Sequence, residues 1–213
     1  GFPTGAVLAR ELYDRGGVSA KRASYICAYA NNPSLSFVLG FAGERAFPGS
    51  GAGWKFSLLI IASSLLNMLV LRAVFFTAEE RAELSKPLAL GRSESKSLVD
   101  AVSESADTMI RVCAMITVFA CVGTLLNELA GLSGLPAALL SGFLEFSGGI
   151  ALCAELPGVA GPVRAAALLG WAGLSVQMQV RAVAGELLST RMFLCARVLQ
   201  AAVMALGAFF LFR

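Results

Sequence analysis

The stretch Tyr29-Ala30-Asn31-Asn32-Pro33-Ser34-Leu35-Ser36 sits at the centre of a run, Ala23 to Gly43, that contains no charged residue. A helix rises about 1.5 Å per residue and the hydrocarbon core of a bilayer is about 30 Å thick, so a run of this length can cross a membrane. Its middle argues against an unbroken crossing. Pro33 has no N–H, and its ring collides with the turn before it. The two asparagines and two serines offer side-chain hydrogen bonds that compete with the helix. The run therefore reads as a helix broken halfway across. Irregular backbone at that depth is tolerated only where protein or a water-filled cavity surrounds it, so the break marks a candidate site.

The composition fits a bilayer as the main solvent. Of 213 residues, 57% are hydrophobic and only 15% are charged, with a mean hydropathy of +0.74. A soluble domain carries about 25% charged residues. There is no histidine, which removes the Ser-His-Asp triad, the Cys-His pair and the HExxH zinc site together. With no Asp deep in a span, acid–base chemistry would rest almost wholly on Glu145, so no enzyme, catalytic residue, cofactor or metal is expected. The five cysteines are scattered and show no CxxC pair, which reads as apolar packing. A net charge of +3 without a basic-aromatic pattern gives no reason to expect nucleic acid. The segment Gly49-Ser50-Gly51-Ala52-Gly53-Trp54-Lys55 fails as a phosphate loop, because Trp54 stands where a second glycine is required. Trp54 and Lys55 read instead as an interfacial anchor.

Working outward, Phe56 to Phe76 and Met192 to Phe212 read as full spans. A third lies around Asp107 to Asn127, with Arg111 snorkelling to an interface. Gly134 to Leu156 is apolar but interrupted by Glu145-Phe146-Ser147-Gly148-Gly149. Each flank is too short to span, which suggests a re-entrant hairpin with a glycine-rich tip. Ala165 to Val180 is uncharged and carries Gly170, Gly173, Ser175, Gln177 and Gln179. It reads as a second broken helix, unwound at Gly173-Leu174-Ser175-Val176. The polar stretch Ala78 to Ser97 reads as an exposed connector.

The order of features repeats. Gly5-Ala6-Val7-Leu8-Ala9-Arg10-Glu11-Leu12 parallels Gly149-Ile150-Ala151-Leu152-Cys153-Ala154-Glu155-Leu156. Each copy continues through a turn and a broken helix to a full span. Three crossings separate the two hairpin tips, so the second hairpin enters from the opposite face, the inverted pattern of secondary transporters. The expected fold is an all-α polytopic membrane protein of inverted repeats, each with a re-entrant hairpin, a broken helix and a full span. Residues 1–77 form the first repeat, 78–97 the connector and 98–213 the second repeat. The first copy is expected to have a leading span and a first hairpin arm before Gly1. This topology puts most Lys and Arg residues, among them Arg72, Arg81, Arg111 and Arg197, on the face of the 78–97 loop. Arg45, Lys55, Arg164 and Arg213 fall on the other, so the loop face is expected to be cytoplasmic.

The expected substrate-binding residues are those at the tips and breaks. Thr4, Gly5, Asn31, Asn32, Ser34 and Ser36 come from the first copy, and Glu145, Ser147, Gly148, Gly149, Ser175, Gln177 and Gln179 from the second. Half-helix N-termini present unsatisfied N–H groups to an anion, and glycines leave backbone open to a ligand. Glu145 is the carboxylate placed deep in an apolar segment. It can hold a coupling cation, carry a proton, bond the solute, or cap the second hairpin arm. Gln177 and Gln179 are two apart, so on a regular helix at most one faces the site.

Gly1-Phe2-Pro3-Thr4-Gly5-Ala6, Tyr29-Ala30-Asn31-Asn32-Pro33-Ser34, Leu144 to Ile150 and Gly173 to Gln179 together resemble the YlbJ-type (SpoVV) sporulation integral membrane proteins, of the nucleoside-recognition or Gate domain group. The resemblance implies a transporter of a small polar or anionic solute, with dipicolinate taken up across the outer forespore membrane of a bacterial cell. The expected partners are the lipid bilayer, the solute, a coupling cation (proton or sodium) held at Glu145 and a second copy of the chain in a homo-oligomer. The alternatives are a non-transporting scaffold subunit of a sporulation complex and a carrier of nucleoside-type solutes.

Overall fold

The computed structural model describes residues 1–85 and 97–213. Among them every regular element is a helix. In chain order these are α1 (Thr4–Asp14), α2 (Ala20–Ala30), a π-helical segment (Phe37–Arg45), α3 (Ala52–Phe75), α4 (Ala78–Leu84), α5 (Leu98–Leu129), α6 (Gly134–Leu144), α7 (Phe146–Ala154), α8 (Ala160–Trp171), α9 (Gly173–Ala184) and α10 (Thr190–Leu211). A single 3-10 turn, Gly185–Leu187, precedes α10.

Three of these helices are long and apolar enough to cross a membrane: α3 with 24 residues, α5 with 32 and α10 with 22. Their starts follow from side chains. Ser97 accepts from the Asp100 N–H to begin α5, and Ser189 accepts from the Met192 N–H to begin α10. α10 packs on α8, α3 and α2, and α3 packs on the π-helical segment. In lipid there is little hydrophobic gain from helix association, so close approach of small residues supplies the packing. A Cβ added to Gly43 would lie 2.4 Å from the Gly53 Cα, and one added to Gly170 would lie 2.6 Å from the Ala201 Cα.

The first break is present. α2 stops at Ala30, residues 31–34 are not helical, and the chain resumes with the Phe37 N–H bonded to Ser34 Oγ at 3.2 Å. It resumes as a π-helix, a geometry that neither propensity nor periodicity announces. In the second half, α6 and α7 fold back on each other. Gly149 faces Gly142 across the pair, so the chain reverses at Glu145.

Several expectations need correction. The tip is one residue, Glu145, and not a glycine-rich loop; Ser147, Gly148 and Gly149 already lie in the first turns of α7. The second break falls at Ala172 and Gly173, with φ of 67° and 72°, so Ser175, Gln177 and Gln179 sit on the regular helix α9. The first part of the connector has no buried residue, and it is a helix rather than a loop. α4 begins with a reciprocal Thr77–Glu80 capping box. Arg81 donates to the terminal carbonyls of α3 and its cap, at Arg72 O (3.1 Å) and Phe76 O (2.9 Å). Lys21 meets Glu80 at 2.7 Å and ties α4 to α2. Residues 86–96 of the expected connector lie outside the described residues. Finally, Arg197 does not sit at a surface: it is 0% exposed.

Candidate functional site

A helix that stops inside a protein leaves its last four carbonyls without helical partners. At the end of α2, Arg197 on α10 donates to Ala28 O at 2.9 Å and to Asn31 O at 3.3 Å. Asn32 turns back to donate to Tyr29 O at 3.0 Å. Its amide oxygen accepts from Gln200, also on α10, at 2.8 Å. The Asn67 amide on α3 donates to Ala196 O at 3.1 Å. The break is thus stitched to α10, which Asn67 ties in turn to α3. Both ends of the Asn31 amide, the oxygens of Asn67 and Gln200, and Arg197 Nε remain buried without a partner.

At the second tip, the Glu145 carboxylate accepts from the Ser147 N–H (3.1 Å), the Gly148 N–H (2.8 Å) and the Ser147 hydroxyl. It therefore caps α7, and the positive end of that helix is occupied by the protein's own carboxylate. The tip is braced by the α8–α9 junction. Trp171 donates to Phe143 O at 3.2 Å, and a Cβ on Gly173 would meet the Phe146 nitrogen at 3.0 Å. The tip and the second break are packed backbone to backbone.

The two halves meet here. The Phe2 and Phe146 rings lie edge to face, 5.8 Å apart, and Phe37 lies 5.1 Å from Phe146. Between them is a cavity of about 160 Å³, lined by Gly1, Phe2, Pro33, Ser34, Phe37, Val112, Ile116, Glu145, Phe146, Ser147, Val176 and Gln179. Four of the expected residues, Ser34, Glu145, Ser147 and Gln179, thus face one space. Glu145 and Gly148 also line a wider groove of about 530 Å³ between α5, α6 and α7, which adds Glu128 and Glu155. Among the described residues, no lysine or arginine lines either space.

The other expected residues do something else. Thr4 and Ser36 are exposed and line neither space. Gly5 is not open backbone: a Cβ there would lie 2.7 Å from the Asn31 Cα, so the glycine lets α1 sit on the break. Gly149 is likewise closed against Gly142, and Gly148 alone of the three opens on a groove. Asn31 and Asn32 belong to the α2–α10 junction described above. Ser175 accepts from Gln179 at 3.2 Å. Gln177 lines neither space, and its amide nitrogen is buried without a partner.

Sequence reasoning missed Arg197, Gln200 and Asn67, all 0% exposed. A signal existed for the first two. They are three apart in an apolar span, which puts them on one helix face. The aromatic walls, Phe2 and Phe37, carried no such signal.

Comparison of the chain with family models, with curated proteins and with solved structures finds no match in any of the three. The fold and composition alone define the class: among the described residues the protein is all-helical, with three apolar helices of membrane-crossing length, which is the character of a membrane protein.

Proposed function

We propose that the chain is a secondary membrane transporter of a small polar or anionic solute, working by alternating access between two inverted repeats. Residues 1–77 and 98–213 are the repeats, and 78–97 is a cytoplasmic connector. The order of elements supports this reading. In each half a short helix (α1, α7) is followed by a broken helix (α2 with the π-helical segment, α8 with α9) and a full span (α3, α10). The pieces also cross over in the same sense, α1 packing on α9 and α7 on the π-helical segment. The inverted arrangement of broken elements around a central site is the architecture of such carriers.

The observation that carries the reading is the 160 Å³ cavity, to which both halves contribute a helix break or a hairpin tip. Ser34, Ser147 and Gln179 give it hydrogen-bonding groups, and Phe2, Phe37 and Phe146 give it apolar faces. Few polar groups on an apolar wall suit a small planar ring with polar substituents. The resemblance to the sporulation proteins supplies the solute, dipicolinate, and the place, the outer forespore membrane. The Glu145 carboxylate is already engaged by three donors, so it repels an incoming carboxylate less than a free one. Glu145 is the group that carries the coupling cation.

The test is uptake of labelled dipicolinate by the full chain in proteoliposomes. Ser34→Ala, Ser147→Ala and Gln179→Ala are expected to cut uptake several-fold, with only the modest drop in melting temperature that loss of the Ser34 and Ser147 bonds brings. No uptake by the wild-type chain, with no solute binding, would leave the scaffold reading in its place.

A further inference from the structure

The α2 C-terminus is the negative end of a helix dipole inside the membrane-crossing part of the protein. In carriers with broken helices, such ends and the unwound carbonyls beside them are where coupling cations are held. Here a cation is already present. Arg197 is fully buried about 10 Å along α10, counting about 1.5 Å per residue. Its two terminal nitrogens bond Ala28 O and Asn31 O. Ion pairs among the described residues join Arg10 to Asp14, Arg15 to Glu11 and Lys21 to Glu80, and Arg197 takes part in none. A buried guanidinium without a carboxylate is costly unless other groups offset its charge. What meets that charge is two carbonyl oxygens at the negative end of a helix and the face of the Phe193 ring, whose centroid lies 5.4 Å from the guanidinium carbon.

We propose that Arg197 is the resident cation of the first helix break: a tethered positive charge in the place where other broken-helix proteins bind a mobile ion. Its role is positioning, since it fixes the end of α2 and so the Asn31–Ser34 turn that reaches the cavity. The junction then needs no ion from solution. Under the transport reading, a coupling cation belongs at the Glu145 side of the cavity. That consequence rests on the transport reading, whereas the charge assignment does not.

Thermal unfolding of the purified full chain in detergent tests the assignment apart from any transport. Arg197→Lys keeps the charge and loses the fork; Arg197→Gln keeps donors and loses the charge. The expected order of melting temperature is wild type, then Lys, then Gln several degrees lower. Arg197→Ala is expected to regain part of its loss in low, non-denaturing guanidinium but not in choline at equal ionic strength, with the wild type unmoved by either. A Gln variant as stable as the Lys variant would overturn the proposal by showing that hydrogen bonding alone matters, and it decides the question even if the Ala variant does not fold.

Discussion

Gly142 and Gly149 oppose each other across the α6–α7 hairpin so closely that a Cβ on Gly149 would lie 2.2 Å from the Gly142 Cα. The two arms are held at backbone contact, and this contact places Glu145 at the apex. Gly149→Val is therefore expected to destabilise the protein by about 1–3 kcal/mol through overpacking. Gly148→Ala, where a Cβ meets only Glu145 Oε2 at 3.6 Å, is expected to be nearly silent. Thermal unfolding of the two variants side by side checks the difference.

Glu145 has a structural duty that can be separated from any duty in coupling. Glu145→Ala removes the cap of α7 and is expected to cost about 1–2 kcal/mol. Glu145→Gln keeps an acceptor and is expected to cost less. If Glu145 carries the coupling cation, the Gln variant loses gradient-driven uptake while melting close to wild type. Unchanged dependence on the gradient in that variant would remove Glu145 from coupling and leave it as a cap.

Ala172 holds a left-handed conformation, φ 67°, with its side chain fully buried. A left-handed L-residue costs about 1–2 kcal/mol, and glycine's extra chain entropy costs about 0.5–1 kcal/mol. Ala172→Gly is therefore expected to leave stability unchanged or slightly raised. Ala172→Val adds a β-branch to the same conformation and is expected to lower the melting temperature clearly.

The tie between α4 and α2 is expected to depend on pH. Lys21, and then the Thr77 N–H, hold the Glu80 carboxyl below its ordinary value. A carboxylate whose pKa is lowered on folding contributes stability above its unfolded value, about 4.3, and loses it as pH falls through the lowered folded value. Amide protection in α4, taken relative to the intrinsic exchange rate at each pH, is expected to be highest at neutral pH and to fall in the acid range. Lys21→Met is expected to lower it at neutral pH as well. Protection indifferent to both would mean that the arginine contacts of Arg22, Arg72 and Arg81 dock the helix without the ion pair.

The breaks and spans were legible because their causes are local. Pro33 cannot continue a helix wherever it falls, and an uncharged run of this length declares its solvent. The position of the second break was harder to read, since it depends on Ala172 accepting a conformation that Gly173, next to it, accepts more readily. The glycines misled for a related reason: a missing side chain signals either open backbone or close packing, and only a partner such as Asn31 or Gly142 decides which. The crossing count puts Arg197 with the basic residues of the loop face and carries no information on its burial. What holds it inside is a set of carbonyls more than 160 positions earlier in the chain, at Ala28 and Asn31, and no local pattern announces such a pairing.

α5 runs unbroken for 32 residues, about 48 Å at about 1.5 Å per residue, against a hydrocarbon core of about 30 Å. Its first turns hold Asp100, Glu104 and Asp107, all exposed, while its far end packs on α6 beside the hairpin. The helix is thus longer than the hydrocarbon core by roughly 18 Å; the carboxylates of its first turns mark the part least suited to lipid, while its far end walls the groove that Glu145 lines.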